Sequence, residues 1–168
     1  MDIRILNEHD AIEYRSLRLK ALKTEPSAFG STYERESEFS LDKFKKRLRP
    51  ADNNFVVGAF NEDTLICAAT FIRMDGTKDR HKSMIVGMYC DEEHRGTGIS
   101  RDVVDFLLDE TQKIDGVEMV YLSVVSDNQR AKNFYHSFGF KVYGTEPKAL
   151  YDGDRYYDED LMYLELTP

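Results

Sequence analysis

Residues 128–140, which read NQRAKNFYHSFGF, carry the pattern that decides the fold of this chain. They follow residues 117–125, which predict a central strand because that run is apolar on both faces. Asp127 or Asn128 is suited to cap a helix that begins directly after the strand. Because Tyr135 lies seven residues, or two helical turns, after Asn128, the two side chains are expected to face the same cleft.

A second motif lies upstream, where RGTGIS at residues 95–100 joins a predicted strand, 84–90, to the start of a helix. Glycines permit a tight turn and leave room for a ligand, and the first N–H groups of a helix attract anions. Arg95 adds a permanent positive charge. A P-loop is excluded because G-x-x-x-x-G-K-[ST] does not occur, and Arg101 stands where a dinucleotide fingerprint needs its third glycine. By itself the turn does not decide between an anion site and a purely structural turn.

The two motifs together resemble those of the GNAT acyltransferase superfamily. The turn matches the family pattern R-x-x-G-x-[GA], except that Ser100 takes the last place. The later segment matches N-x-x-A-x-x-x-Y followed by GF, at Asn128, Ala131, Tyr135, Gly139 and Phe140. The two motifs span residues 84–144, and the order of elements over the whole chain also agrees.

The resemblance implies one acetyltransferase domain over residues 1–168, of the α/β (α+β) class. The implied GNAT fold is a mixed, mostly antiparallel sheet of six to seven strands that splays between strands 4 and 5, flanked by about four helices. Hydrophobic periodicity agrees with that order. It predicts strands at 3–6, 55–60, 65–72, 84–90, 117–125, 140–143 and 157–166, and helical stretches near 14–22, 27–38, 41–48, 99–107 and 128–138.

The resemblance also implies that acetyl-coenzyme A binds between strands 4 and 5. Its pyrophosphate is expected on the N–H groups of the glycine turn, and its pantetheine arm is expected to pair with the backbone of strand 4. Ser100 is small and suits an early helical position, so we expect its replacement of Gly or Ala to preserve binding. The implied cofactor-binding residues are Met88, Tyr89, Cys90, Arg95, Gly96, Thr97, Gly98, Ile99, Ser100, Asn128, Ala131 and Tyr135. No metal is implied.

In the implied reaction, a neutral amine attacks the thioester directly in a ternary complex. Backbone N–H groups near residues 88–90 are expected to stabilise the oxyanion, and Tyr135 is expected to protonate the leaving thiolate. Strand 4 has no carboxylate at residues 84–89. We therefore take Glu34 as the candidate general base, with Glu36, His81 or a water molecule as alternatives.

The net charge of the chain limits the classes of acceptor and partner that the sequence predicts. A net charge of −8 argues against sequence-independent nucleic-acid binding and is compatible with a cationic acceptor. The acidic segment 152–160 either attracts such an acceptor or is an ordinary polar surface of a hairpin. Arg130 and Lys132 are candidates to bind the ribose phosphate of the cofactor.

We expect N-acetylation of a small-molecule amine, such as an amino acid, a polyamine or an amine antibiotic. Acetylation of a protein N-terminus or lysine, O-acetylation, and a non-catalytic acyl-coenzyme A sensor are the alternatives.

The remaining composition predicts an intracellular single-domain protein. A chain of 168 residues fits one domain, and no apolar run approaches the roughly 20 residues of a membrane span. The first residues do not have the pattern of a signal peptide. Cys67 and Cys90 lie in strand-like runs and are interpreted as buried free thiols. We expect a cytoplasmic monomer or homodimer that binds neither nucleic acid nor membranes.

Overall fold

The computed structural model describes residues 1–167 and contains a seven-stranded sheet in the order β1-β2-β3-β4-β5-β7-β6. The strands are β1 (Asp2–Ile5), β2 (Asn54–Asn61), β3 (Thr64–Arg73), β4 (Lys82–Cys90), β5 (Met119–Val125), β6 (Lys141–Tyr151) and β7 (Tyr156–Glu165). Neighbouring strands are antiparallel except β4 and β5, which are parallel. The predicted mixed sheet is confirmed. Pro168, the last residue of the predicted domain, lies outside the described residues.

Five α-helices cover the two faces of this sheet. They are α1 (Ala11–Thr24), α2 (Tyr33–Ser37), α3 (Leu41–Leu48), α4 (Ile99–Gln112) and α5 (Gln129–His136). Side chains of successive strand residues point to opposite faces, and Val57 and Val56 accordingly belong to two different hydrophobic cores. The larger core includes side chains of α4 and α5, and the smaller one includes side chains of α1 and α3. The parallel pair β4–β5 is connected through α4, as a parallel pair requires a crossover.

Helix α3 follows the sequence pattern closely. The Ser40 hydroxyl accepts a hydrogen bond from the Lys43 N–H at 3.3 Å, which satisfies a free donor of the first turn. Phe44 and Leu48, four residues apart, lie on one face and are fully buried. The helix ends at Leu48, two residues before Pro50. Each of these features was predicted from the sequence.

The helical stretch predicted at 27–38 is wrong in its first half. Only a short 3-10 turn, Pro26–Ala28, forms there, and Phe29 has an extended backbone with φ −128° and ψ 147°. A new helix, α2, begins after Thr32, whose hydroxyl accepts from the Arg35 N–H. The extended segment carries Phe29 to Tyr89 of β4, at 6.5 Å between ring centroids. This tertiary contact replaces the first helical turns.

The closing hairpin is longer than predicted. Strand β6 continues to Tyr151 instead of ending at residue 143, although its second half contains Pro147. Proline is tolerated there because β6 is an edge strand and its outer side needs no ladder donor. The pairing with β7 is interrupted between Glu146 and Leu150, where the register shifts. The sequence analysis assigned no element to residues 144–151, and pairing with β7 keeps this segment extended.

The predicted opening between β4 and β5 is present. Their register contains three pairs, Lys82–Met119, Ser83–Val120 and Met84–Tyr121, at one end of the strands. Beyond Met84, β4 pairs only with β3 among the described residues. Gly87, with φ 62°, lies at an irregularity in that pairing and bends β4. The two strands therefore separate into a wedge whose inner edges carry free backbone groups.

Candidate active site

A cavity of about 530 Å³ fills the wedge between β4 and β5. Its walls come from the separated parts of both strands, the glycine turn, α5 and the segment that follows α1. The residues that line it are Glu25, Ala28, Phe29, 85–90, Arg95, Gly96, Gly98, Ser100, Arg101, 122–125, Asn128, Arg130, Ala131, Phe134 and Tyr135. All the residues predicted to bind cofactor line this cavity except Thr97 and Ile99.

Thr97 and Ile99 belong to the turn, but their side chains are occupied elsewhere. The Thr97 hydroxyl donates to the His94 carbonyl at 2.6 Å, and Ile99 is 4% exposed in the larger core. Only the backbone N–H groups of these two residues remain to meet a ligand. The sequence prediction assigned that backbone role to both, and it remains a prediction.

The two glycines of the turn are required by its backbone conformation. Gly96 and Gly98 have φ of 77° and 88°, in the left-handed region that residues with a Cβ rarely adopt. A Cβ added at either position would meet nothing within 4 Å, so space is not the constraint. Gly98 is the N-cap of α4 and accepts the first helical hydrogen bond, from Asp102. The N–H groups of the first turn of α4 have no helical partner and lie at the rim of the cavity, where such groups favour a negative charge.

Arg95 is held over this rim by three contacts. Its Nε donates to the Cys90 carbonyl at 3.0 Å, and its guanidinium lies 5.5 Å from the centre of the Tyr89 ring. Its Nη2 pairs with the Glu25 carboxylate at 2.7 Å. The Tyr89 hydroxyl in turn shares a hydrogen bond with Thr24 at the end of α1. The positive charge predicted near the turn is present, together with a carboxylate partner that the sequence did not indicate.

Asn128 and Tyr135 face the same cavity, as their spacing predicted. The Asn128 Oδ1 accepts from the Ala131 N–H at 3.1 Å and caps α5. The side-chain oxygen is therefore used by the helix, which leaves the Nδ2 group as the donor available to a ligand. Helix capping and ligand binding are compatible in this residue because they use different atoms.

Tyr135 lies at the inner end of α5 and is 8% exposed. Its ring packs edge-to-face against Phe134 and Phe140, with centroids at 5.1 and 5.8 Å. Burial raises the pKa of the Tyr135 phenol above its ordinary value. The hydroxyl is therefore protonated throughout the neutral pH range and is able to act as a proton donor in the cavity.

Glu36, one candidate for the general base, is a buried structural anion. It is 1% exposed and pairs with Arg18 at 2.9 and 3.1 Å and with Arg47 at 2.9 Å. Burial alone favours the neutral acid, but hydrogen bonds from the two guanidinium groups outweigh it and lower the pKa of Glu36 to about 2. A general base works best with a pKa near the operating pH, so Glu36 is not suited to that role.

Glu34 and His81 also lie outside the cavity wall. Glu34 is exposed on α2, and His81 lies just before the end of β4 at which β4 pairs with β5. Among the described residues that line the cavity, Glu25 is the one carboxylate, and it pairs with Arg95. The geometry therefore gives no support to Glu34 as the base, and a water molecule is the alternative that remains.

The other charged candidates separate into two groups. Arg130 lies at the cavity mouth, with its side chain 72% exposed, whereas Lys132 pairs with Asp160 at 3.1 Å away from the cavity. Asp160 also accepts hydrogen bonds from Ser126 and Thr145, which ties together β5, β6 and β7. Asp160 is thus structural. The sequence pattern did not distinguish Arg130 from Lys132 because both lie on the same helix.

The described residues show no metal cluster and no membrane helix. No group of three or more His, Cys, Asp or Glu side chains in residues 1–167 is placed to hold a metal ion. None of the helices in that range combines the length and the apolar character of a membrane span. Cys67 and Cys90 are free and buried, as predicted, and lie opposite each other in β3 and β4.

Comparison with sequence models of protein families shows to which family the chain belongs. The sequence model of the Acetyltransferase (GNAT) domain matches residues 3–161. The chain belongs to the GNAT acetyltransferase family. The resemblance noted in the two motifs is thereby confirmed, and the wedge, the glycine turn and α5 of this GNAT domain form one continuous site.

Individual relatives of this GNAT domain are distant. N-alpha-acetyltransferase 50 of Danio rerio is 26% identical over 105 residues, which cover 62% of this chain and 61% of that protein. Spermidine N(1)-acetyltransferase of Vibrio cholerae is 29% identical over 84 residues, 50% of this chain and 49% of that protein. The match therefore spans about half to three fifths of these curated relatives.

Solved structures share the fold over the whole chain. The yncA protein of Salmonella typhimurium, solved with its cofactor acetyl-CoA, has a TM-score of 0.84 and 20% identity, covering 100% of this chain and 95% of that one. At that identity the likeness shows the fold. The arrangement of the sheet and helices described above is therefore that of known GNAT structures.

Several residues that line the cavity were not predicted from the sequence. Gly87 was detectable, because a glycine inside a predicted strand indicates a bulge or a close backbone approach. No such signal marked Glu25, Phe29 or Ser123. A glutamate before a proline is common in sequences, and so are a single Phe in a loop and a single Ser in a strand. Glu25 and Phe29 line the cavity because the chain after α1 folds back onto β4.

Proposed function

We propose that this chain is an acetyl-coenzyme A-dependent N-acetyltransferase that acetylates a primary amine of a small molecule. The observation that carries the proposal is the separation of β4 from β5 after three pairs, which opens a cavity between the glycine turn and Tyr135. A nucleotide-tailed thioester needs an anion site at one end and a proton donor at the other, and this cavity has both. The proposal treats residues 1–168 as one domain acting in the cytoplasm.

In this proposal each wall of the cavity holds one part of acetyl-coenzyme A. The N–H groups of residues 96–100 and the side chain of Arg95 bind the pyrophosphate. The free backbone of Met88, Tyr89 and Cys90 pairs with the amides of the pantetheine arm. From the opposite side the Nδ2 group of Asn128 donates to the arm, and the small Ala131 leaves room for it. Acetyl-coenzyme A supplies the activated acetyl group.

The same residues support direct transfer in a ternary complex. An amine attacks the thioester carbonyl, and the backbone N–H groups near Met88 and Tyr89 stabilise the charge that develops on the oxygen. As the carbon–sulfur bond breaks, the Tyr135 hydroxyl donates its proton to the thiolate. The attacking nitrogen loses its proton to water, and the Tyr135 phenolate takes up a proton from solvent before the next turnover. With reference pKa values of about 10 for Tyr and 8.5 for a thiol, this transfer is uphill by about 2 kcal/mol in water. Burial raises the pKa of the Tyr135 phenol and adds to this cost, and alignment of the hydroxyl with the leaving sulfur offsets it.

The acceptor amine must lose a proton to become nucleophilic. An alkyl ammonium with a pKa of about 10.4 is neutral in only about one molecule in 2,500 at pH 7. No free carboxylate among the described cavity residues serves as a base, so we assign this proton to water. N-alpha-acetyltransferase 50 and the spermidine acetyltransferase differ in their named acceptors, and the match to the former keeps a protein N-terminus as the second candidate.

A thiol-release assay tests the proposal. Purified protein with acetyl-coenzyme A is screened against amino acids, polyamines, aminoglycosides and N-terminal peptides, and free thiol is measured over time. At least one small amine is expected to give saturable release that grows faster above neutral pH, because more acceptor is then neutral. Release with peptides alone supports the second candidate. Tight binding without release from any acceptor contradicts catalysis and favours a sensor.

A pair of variants at Asn128 tests the proposed contact with the pantetheine arm. Asn128→Asp keeps the oxygen that caps α5 but loses the Nδ2 donor, so we expect unchanged stability and about tenfold weaker acetyl-coenzyme A binding. Asn128→Ala loses both atoms, and we expect an additional loss of about 1 kcal/mol in the free energy of unfolding. Calorimetry measures the dissociation constant and urea unfolding measures stability. Equal cofactor affinity in the wild type and Asn128→Asp contradicts the contact.

A further inference from the structure

Glu25 joins two arginines at the mouth of the cavity. Its Oε1 lies 2.7 Å from Arg95 Nη2 and 3.9 Å from Arg130 Nη2. Arg95 belongs to the glycine turn after β4, and Arg130 belongs to α5 after β5, so they stand on opposite sides of the wedge. A single carboxylate at the end of α1 therefore bridges the two walls. Neither arginine has another carboxylate partner among the described residues.

The position of this bridge conflicts with the binding of a polyanion. The pyrophosphate in the proposed function needs the same rim, where Arg95 and the first N–H groups of α4 supply the positive field. A carboxylate that holds Arg95 directly lowers the charge available to the ligand. It also adds repulsion to any phosphate that approaches within a few ångströms. Glu25 and a bound pyrophosphate are thus competitors for one guanidinium.

We propose that Glu25 is an affinity-setting residue, an internal anion that the coenzyme A pyrophosphate displaces from Arg95 and Arg130. The inference rests on the proposed function and adds a specific role for a residue outside both sequence motifs. By occupying the arginines in the ligand-free enzyme, Glu25 weakens the binding of acetyl-coenzyme A and of the product coenzyme A. Because coenzyme A is bound less tightly, it dissociates faster after each turnover.

The displacement also affects the segment that follows Glu25 in the chain. Glu25 directly precedes the turn Pro26–Ala28, and Ala28 and Phe29 line the cavity beyond the pyrophosphate site. When the pyrophosphate takes Arg95, the constraint that Glu25 places on this segment is released. Glu25 and Phe29 are only four positions apart in the chain, so the two are directly connected through the backbone.

The test compares Glu25→Gln with a matched control, Glu93→Gln. Glu93 is an exposed carboxylate two residues before Arg95 that makes no ion pair within residues 1–167, so its variant changes the same net charge without touching the bridge. Calorimetry measures the dissociation constants of coenzyme A and of pantetheine, which lacks the pyrophosphate. We expect coenzyme A to bind about fivefold more tightly to Glu25→Gln, and pantetheine to bind equally to all three proteins.

The outcomes separate this inference from the proposed function. Unchanged or weaker coenzyme A binding in Glu25→Gln overturns the displacement, as does a tightening that Glu93→Gln or pantetheine reproduces. A wild-type protein that binds no coenzyme A overturns the proposed function itself. Circular dichroism and thermal unfolding confirm that each variant is folded. Glu25→Ala is the second variant, and it is expected to show the same selective tightening.

Discussion

Replacing Tyr135 with phenylalanine is expected to lower kcat about 100-fold or more while changing the dissociation constant of acetyl-coenzyme A by less than about twofold. The variant removes a hydroxyl and keeps the ring that packs against Phe134 and Phe140. The cavity wall and the stability of α5 are therefore retained. What is lost is the proton for the departing thiolate, which must then leave as an anion in a largely apolar cavity.

Steady-state kinetics and calorimetry check this prediction, with Tyr33→Phe as the control. Tyr33 lies on α2 and does not line the cavity, so its variant tests the loss of a tyrosine hydroxyl elsewhere. The pH profile supplies a second check. Because burial raises the pKa of Tyr135, the acid form persists in alkaline solution, and no loss of rate from this group is expected below about pH 10. Equal turnover in wild type and Tyr135→Phe removes Tyr135 from the mechanism.

The second large effect concerns stability. Glu36→Gln is expected to lower the free energy of unfolding by about 3 kcal/mol or more, because it leaves Arg18 and Arg47 without their shared counter-ion. Arg18 also stacks over Phe29, at 5.2 Å from the ring centre, so the disturbance extends to the cavity wall. Urea or thermal unfolding measures the change. Glu34→Gln, an exposed change on the same helix, is the control and is expected to have no effect beyond about 0.5 kcal/mol.

The pH dependence of stability distinguishes this ion cluster from simple packing. Glu36 has a pKa of about 2 in the folded protein and an ordinary value of 4.5 when unfolded. Below pH 4.5 the unfolded chain takes up a proton that the folded protein does not, so the stabilisation by Glu36 is lost as the pH falls from about 5 to about 2. Glu36→Gln is expected to lack this loss. Parallel stability curves for the wild type and the variant over that range contradict the assignment.

The features that the sequence predicted well are those encoded in contiguous segments. The glycine turn and the first turn of α4 depend on dihedral angles and free N–H groups that residues 95–100 determine locally. Asn128 and Tyr135 share a face because helical spacing alone requires it. Ser40 and Phe44 define α3 in the same way. One half of the candidate site was therefore accessible without any knowledge of distant contacts.

The features that were missed depend on residues far apart in the chain. Glu36 was a candidate base because nothing in the sequence separates a catalytic glutamate from a buried structural one. Its role follows from Arg18 on α1 and Arg47 on α3, which reach it only after the helices pack. The extended backbone at Phe29 has a similar origin, since its ring contacts β4.

The sequence by itself determined the family, the order of the elements and the glycine turn, because each follows from short-range geometry along one strand, turn or helix. Tertiary structure alone decided which charged side chains reach the cavity. Glu25 comes to Arg95 although seventy residues separate them. Lys132 lies inside the second motif but pairs with Asp160, away from the cavity, and Glu34 is exposed on α2. The reason is that electrostatic roles depend on distances in space and on burial, and both are established only when the helices pack and the segment after α1 folds onto the wedge.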